Sequence, residues 1–229
     1  MGPMRHLLLF GRRARAGRVK TRLLPLLGVD RTLALYRAWL ADQLAFVRSF
    51  EPGASVEWWA DGDLDPALDA GLPVRDLTLR FQGSGDLGER LEVAFTASAR
   101  AGAAATVVVG ADSPTLPAAT VDHAFERLER GAEAVLAPAE DGGYVLLGMR
   151  GPRLELLRGI PWSGADVAEA TRAAARTAGV SLAEVEGWFD VDDAAGLARL
   201  VADLERPAAA RRAPETRRVL LDSAFRDVI

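Results

Sequence analysis

The sequence predicts an α/β sandwich, with a mainly parallel central sheet and helices on both faces. Three observations predict it. Short apolar runs alternate with longer segments of helical periodicity. One run, Thr106-Val107-Val108-Val109, is continuously apolar, as a strand covered on both faces must be. No internal repeat interrupts the order. In such a sheet ligands bind at the carboxyl ends of the strands, so the residues just beyond each run are the candidates for function.

The first run, Leu7-Leu8-Leu9-Phe10, ends at Gly11 and opens into Arg12-Arg13-Ala14-Arg15-Ala16-Gly17-Arg18-Val19-Lys20-Thr21-Arg22. A strand that delivers a basic, glycine-bearing loop to a sheet edge suits a phosphate chain. Gly11 and Gly17 let backbone N–H groups approach an anion, Arg12, Arg13 and Arg22 offer planar forks, and Lys20 offers a mobile point charge with a catalytic role. Two familiar phosphate motifs are absent. Val19 stands where a Walker loop needs glycine before its lysine, and Gly11 is not followed by the G-x-G-x-x-G spacing of a dinucleotide site. The bland alternative is a solvated basic turn.

Asp30 can cap a helix whose apolar stripe is Leu33, Leu35, Tyr36, Trp39, Leu40, Leu44 and Val47. Strands are expected at residues 55–60 and 74–81. Gln82-Gly83-Ser84-Gly85-Asp86 is a glycine-rich turn into a helix over residues 87–101. Gly83 and Gly85 permit a flat group to come close, Gln82 can bond a nucleobase edge, and Asp86 joins them as a nucleotide-binding candidate. The alternative is a capped loop, with Asp86 as cap and Glu89 completing the box. After the valine run comes Asp112, a carboxylate at a strand end and hence a candidate ligand for Mg2+ or Mn2+. Its alternative is to cap the turn at Pro114.

Further on, a helix is expected at 120–130 and strands at 134–136 and 144–147. Asp141, before Gly142-Gly143, can orient or deprotonate an acceptor hydroxyl, or simply make the turn. Trp162-Ser163 can border the same pocket. Helices at 154–157 and 166–178 precede a strand at 181–185. In Phe189-Asp190-Val191-Asp192-Asp193 the alternation sends Asp190 and Asp192 to one side as metal candidates, Asp190 preferred; Asp192 or Asp193 caps a helix at 194–204. Residues 206–214 read as a surface linker, and 219–229 as a segment that docks on the domain or on a second copy in a homodimer. The expected division is one domain over 1–205 and a linker with tail over 206–229.

Composition narrows the function classes. The chain has 229 residues and a 49% apolar fraction, enough for one substantial core. A net charge of -4 argues against general nucleic-acid binding and makes the basic loop a local device. With no cysteine and two histidines, thiolate chemistry is excluded and carboxylates must carry the reaction. The run at 7–10 is too short to span a membrane and no cleavage site follows it, so a cytoplasmic protein without membrane or nucleic-acid partners is expected.

Together, Arg18-Val19-Lys20-Thr21-Arg22-Leu23-Leu24-Pro25, Gln82 to Leu91, Gly110-Ala111-Asp112-Ser113-Pro114 and Asp141-Gly142-Gly143-Tyr144 resemble the DUF2064 family. That family belongs to the GT-A, or nucleotide-diphospho-sugar transferase, superfamily and is often labelled a glycosyltransferase of modified-sugar, arsenosugar-type pathways. The resemblance covers most of residues 5–205. It implies a Rossmann-like GT-A domain whose first loop cradles phosphates, whose 82–88 turn meets the base and whose Asp112 binds metal. Relatives include the phospholactate guanylyltransferases and molybdenum-cofactor nucleotidyltransferases. This chain departs from the superfamily's frequent Asp-x-Asp-Thr-Pro-Glu-Asp ending, having Asp190-Val191-Asp192-Asp193-Ala194-Ala195-Gly196.

The expected activity is metal-dependent transfer of a sugar from a nucleoside-diphosphate sugar to a small acceptor. Two alternatives stand beside it: nucleotidyl transfer from a nucleoside triphosphate with release of pyrophosphate, and nucleotide binding without turnover.

Overall fold

The computed structural model describes residues 4–62, 66–162, 164 and 166–226; Ser163 lies outside them. In chain order the elements are β1 (Arg5–Gly11), α1 (Leu24–Arg48), β2 (Ser55–Ala60), α2 (Pro66–Asp69), β3 (Thr78–Phe81), α3 (Leu87–Arg100), β4 (Ala105–Gly110), α4 (Ala118–Glu129), β5 (Ala134–Pro138), β6 (Tyr144–Met149), α5 (Val167–Ala178), β7 (Leu182–Glu184), α6 (Ala194–Leu204), α7 (Pro207–Arg212), α8 (Pro214–Leu220) and α9 (Ser223–Arg226).

The strands form one seven-stranded sheet in the order β3-β2-β1-β4-β6-β5-β7. The valine strand β4 is central, with Val108 opposite Leu8 of β1 and Leu147 of β6. All pairings are parallel except those of β6, which runs against both β4 and β5. The cause is local: residues 139–143 are too few for a crossover, so β5 and β6 can only meet as a hairpin.

Strand alternation divides the core into two layers. Leu7, Leu9, Val107 and Val109 face one side and pack with Trp39 and Leu40 of α1, Val121 and Phe125 of α4, Leu197 and Leu200 of α6 and Leu220 of α8. Leu8, Phe10, Val108 and Leu147 face the other and meet Leu91 and Phe95 of α3 and Ala175 of α5. Helices therefore cover both faces, as the alternation predicts.

Four expectations are corrected. Residues 74–77 are turn rather than strand, leaving β3 a short edge. Residues 154–156 form a single 3-10 turn. Most importantly, the expected linker at 206–214 is helical. A proline opens α7 and another opens α8, Ala209 and Ala213 are fully buried, and an alanine run bounded by helix-starting prolines forms helix wherever its small face can pack. The carboxylate of Asp42 in α1 accepts the N–H groups of Glu215 (3.0 Å) and Thr216 (2.7 Å), capping α8 from outside. Asp30, the expected cap, instead lies inside α1, which breaks at Gly28 (φ 75°, ψ 172°).

Candidate active site

At the carboxyl edge of the sheet the ends of β1 and β4 nearly touch. A Cβ on Gly11 would sit 2.7 Å from that of Ala111, so only glycine fits. The basic loop leaves from here and is pinned at its root. The Tyr36 hydroxyl accepts the N–H of Arg12 (3.1 Å) and donates to its carbonyl (2.8 Å). Gly17 supplies the turn at φ 67°. Arg12 and Arg22 are exposed, Arg12 donating to the Arg18 carbonyl.

Arg13 does not belong with them. Its side chain is 1% exposed, its guanidinium lies 3.1 Å from Asp69 and over the Trp58 ring, and its N–H donates to Asp61. A buried guanidinium paired to a carboxylate holds the loop to the fold and presents nothing to a phosphate.

Lys20 is not a mobile charge in the loop. Its backbone is left-handed (φ 43°, ψ 50°), and its side chain, 6% exposed, passes 4.8 Å from the centre of the Trp39 ring. Its Nζ stands 2.7 Å from Oδ1 of Asp112 and 2.7 Å from Oδ1 of Asp192. Burial lowers the ammonium pKa, but the two carboxylates outweigh it and leave the pKa raised. The Trp39 indole N–H donates to the Ala111 carbonyl (2.7 Å), and the Val191 N–H to the Asp112 carbonyl (2.9 Å), so β4's end, the segment after β7 and α1 are tied at one point.

Asp112 and Asp192 themselves are about half exposed, at 49% and 46%. Asp193 caps α6 through Gly196, which frees Asp190 and Asp192 from that duty. Of the two, Asp192 is the one joined to Asp112 through Lys20, although distance from the helix cap favours Asp190 in the sequence. The Asp190 carboxyl is pushed up to about 6, first by burial and then by the charges of Asp141 and Asp192, with Lys20 opposing. Asp141, exposed, makes its turn by accepting the Gly143 N–H at Oδ1 and also faces this cluster. Among the described residues no group of three or more acids and histidines is arranged as a ready-made metal cage; the cation between the carboxylates is the ammonium of Lys20.

The turn at 82–86 differs from expectation. Gln82 is buried, and its amide nitrogen donates to the Trp59 carbonyl (2.8 Å) while its oxygen faces Arg90. It braces the ends of β2 and α3 instead of offering an edge to a base. Asp86 forms a full capping box with Glu89, the alternative its spacing allowed. Gly83 (φ 89°) and Gly85 (φ 96°) do shape the loop, with open space around Gly83. Behind the turn, the Trp162 indole bonds the Leu157 carbonyl and packs so tightly on Gly88 that a Cβ there would clash.

The profile of a family described as an uncharacterised protein conserved in bacteria, DUF2064, matches residues 48–164. The chain belongs to the DUF2064 family. The match takes in the 82–91 turn, Asp112 and Asp141 of this DUF2064 protein, while Lys20 and Asp192 fall outside it. A structure from Desulfovibrio desulfuricans G20, described provisionally as a nucleotide-diphospho-sugar transferase, superposes with a TM-score of 0.85 at 28% identity over 98% of this chain and 97% of that one. A 4-diphosphocytidyl-2C-methyl-D-erythritol synthase follows at 0.57, with 15% identity over 89% of this chain and 100% of that one. Glucosyl-3-phosphoglycerate synthase from Mycobacterium tuberculosis, in complex with Mn2+, UDP and phosphoglyceric acid, scores 0.51 with 11% identity over 93% and 79%. The last two share the fold alone. No curated protein sequence matches the chain.

Proposed function

We propose that this DUF2064 protein is a divalent-cation-dependent glycosyltransferase that moves a sugar from a nucleoside-diphosphate sugar to a small acceptor. One observation carries the proposal: carboxylates from two separate segments, Asp112 just past β4 and Asp192 just before α6, converge on a single positive charge beside an arginine-rich loop at the carboxyl edge of the sheet. The Desulfovibrio relative supports the same substrate class.

The residues fit Mg2+ or Mn2+. The donors are oxygen only, and they are already held around a cation. Asp112 and Asp192 would hold the ion, with Asp190 adjoining. When bound, it would neutralise charge developing on the leaving diphosphate. Arg12 and Arg22 would fork onto phosphate oxygens, and the backbone around Gly11 and Gly17 would approach them. The open turn at Gly83 and Gly85 would border the base. Asp141 would use Oδ2 on the acceptor hydroxyl, since Oδ1 is held by the Gly143 N–H.

A second reading, nucleotidyl transfer, is favoured by the fold's likeness to cytidylyltransferases. There the same carboxylates and arginines would serve a triphosphate, and pyrophosphate would leave. The test is mass spectrometry of Mn2+-loaded protein incubated with a panel of nucleotide sugars, nucleoside triphosphates and small hydroxylated acceptors. Nucleoside diphosphate appearing with a glycosylated product is the expected result. Pyrophosphate release would transfer the function to the second reading, and retention of nucleotide without turnover would leave a nucleotide-binding protein.

A further inference from the structure

We infer that Lys20 is the site's resident counter-ion, which a divalent cation must displace, so that metal entry and release of the Lys20 ammonium toward the phosphates are one coupled event. The inference rests on the metal-binding reading given above and adds to it the order in which the charges move.

Lys20 Nζ is equidistant, at 2.7 Å, from one oxygen of each carboxylate, which is the position a cation bridging the same two oxygens would take. Two like charges at such separation repel strongly, and more so at a site that excludes water from one side. The side chain is 6% exposed while the carboxylates are about half exposed, so an ion can arrive from solvent on the side away from the lysine stem.

The loop is built to yield. Lys20 is held in a left-handed conformation that costs a residue with a side chain about 1 kcal/mol or more, and Gly17, with φ 67° and nothing near its Cβ position, lies three residues before it. Departure of the ammonium moves a positive charge out of the carboxylate pair and into the basic loop, where the exposed Arg12 and Arg22 mark the phosphate side. Without a phosphate to receive it, the ammonium opposes the metal, which then displaces it only at high concentration. Metal and polyphosphate therefore bind cooperatively, each removing an obstacle to the other.

Manganese titration followed by electron paramagnetic resonance tests this on the full chain. For Lys20→Met the expected result is Mn2+ affinity about tenfold or more above wild type in the absence of any phosphate. With inorganic pyrophosphate present, the wild type gains affinity and the variant gains much less. Equal or weaker Mn2+ binding by Lys20→Met overturns the counter-ion role while leaving the metal site standing, provided Asp112→Asn abolishes binding. No Mn2+ binding by wild type or variant overturns both readings.

A second measurement needs no variant. Acetylation of wild-type Lys20, followed by peptide mass spectrometry, should run several-fold faster with Mn2+ at saturating concentration than in metal-free protein, since the displaced amine loses the carboxylates that hold it protonated. An unchanged or slower rate on adding Mn2+ means the ammonium stays between the carboxylates, and the exchange does not occur.

Discussion

Gly11 occupies a point where two strand ends leave no room for a methyl group. Gly11→Ala should destabilise the protein by about 1–3 kcal/mol, since the new Cβ meets Ala111 of a rigid strand end, and Ala111→Gly in the same chain should recover part of the loss; paired thermal melts of the single and double variants check it. Arg13 makes the complementary point. Arg13→Met removes the buried guanidinium 3.1 Å from Asp69 and should cost on the order of 3 kcal/mol while nucleotide affinity per folded molecule stays unchanged, which separates it from Arg22→Ala, where binding falls and stability does not. His6 brings a pH dependence. It is buried at the start of β1 with Nδ1 unpartnered, and burial lowers its pKa, so the unfolded chain binds a proton that the folded one resists. Stability is then full above about pH 6.5 and declines as pH falls below it. Melts from pH 8 to pH 5 should show a smaller decline for His6→Gln. At this scale the sequence was legible for residue type and poorly legible for residue role. Lys20, Asp112 and Asp192 stand out by their positions after strands, but the arginines of the first loop look alike in a linear string, and what distinguishes Arg13 is an aspartate more than fifty residues away in the chain.

Among the elements, the 82–86 turn and the tail show how local and distant signals divide. The capping box is a spacing of three residues and was visible as such. Asp86→Ala should cost about 1 kcal/mol through fraying of α3, with nucleotide binding retained in the folded protein, measured by denaturant melts beside equilibrium titration. The tail helices could not be seen in the same way, because α8 takes its cap from Asp42 on α1 instead of from a neighbour in sequence. Asp42→Ala should raise amide-hydrogen exchange at residues 214–221 ahead of the sheet, and exchange rates equal to wild type there would show that burial of Thr216 and Leu220 suffices. Edge elements were the other weak point. Residues 74–77 carry a strand-like pattern, yet with only one neighbour strand available the pairing stops at Thr78.

For the molecule as a whole, the order of layers was legible since alternating apolar runs and helical stripes leave few ways to cover both faces of a sheet. The reversed strand was not, as periodicity carries no direction. That reversal has a practical meaning. In a purely parallel sheet every loop at the ligand edge is the start of a long crossover, and altering one disturbs the helix it feeds. The β5–β6 turn is instead a closed tongue: it enters and leaves the crevice within residues 139–143 and returns to a paired strand, while Lys20, Asp112 and Asp192 hang from other segments. Under the function proposed above, substitutions at the tongue would change the acceptor side of the crevice while the segments that carry Lys20, Asp112 and Asp192 keep their own supports.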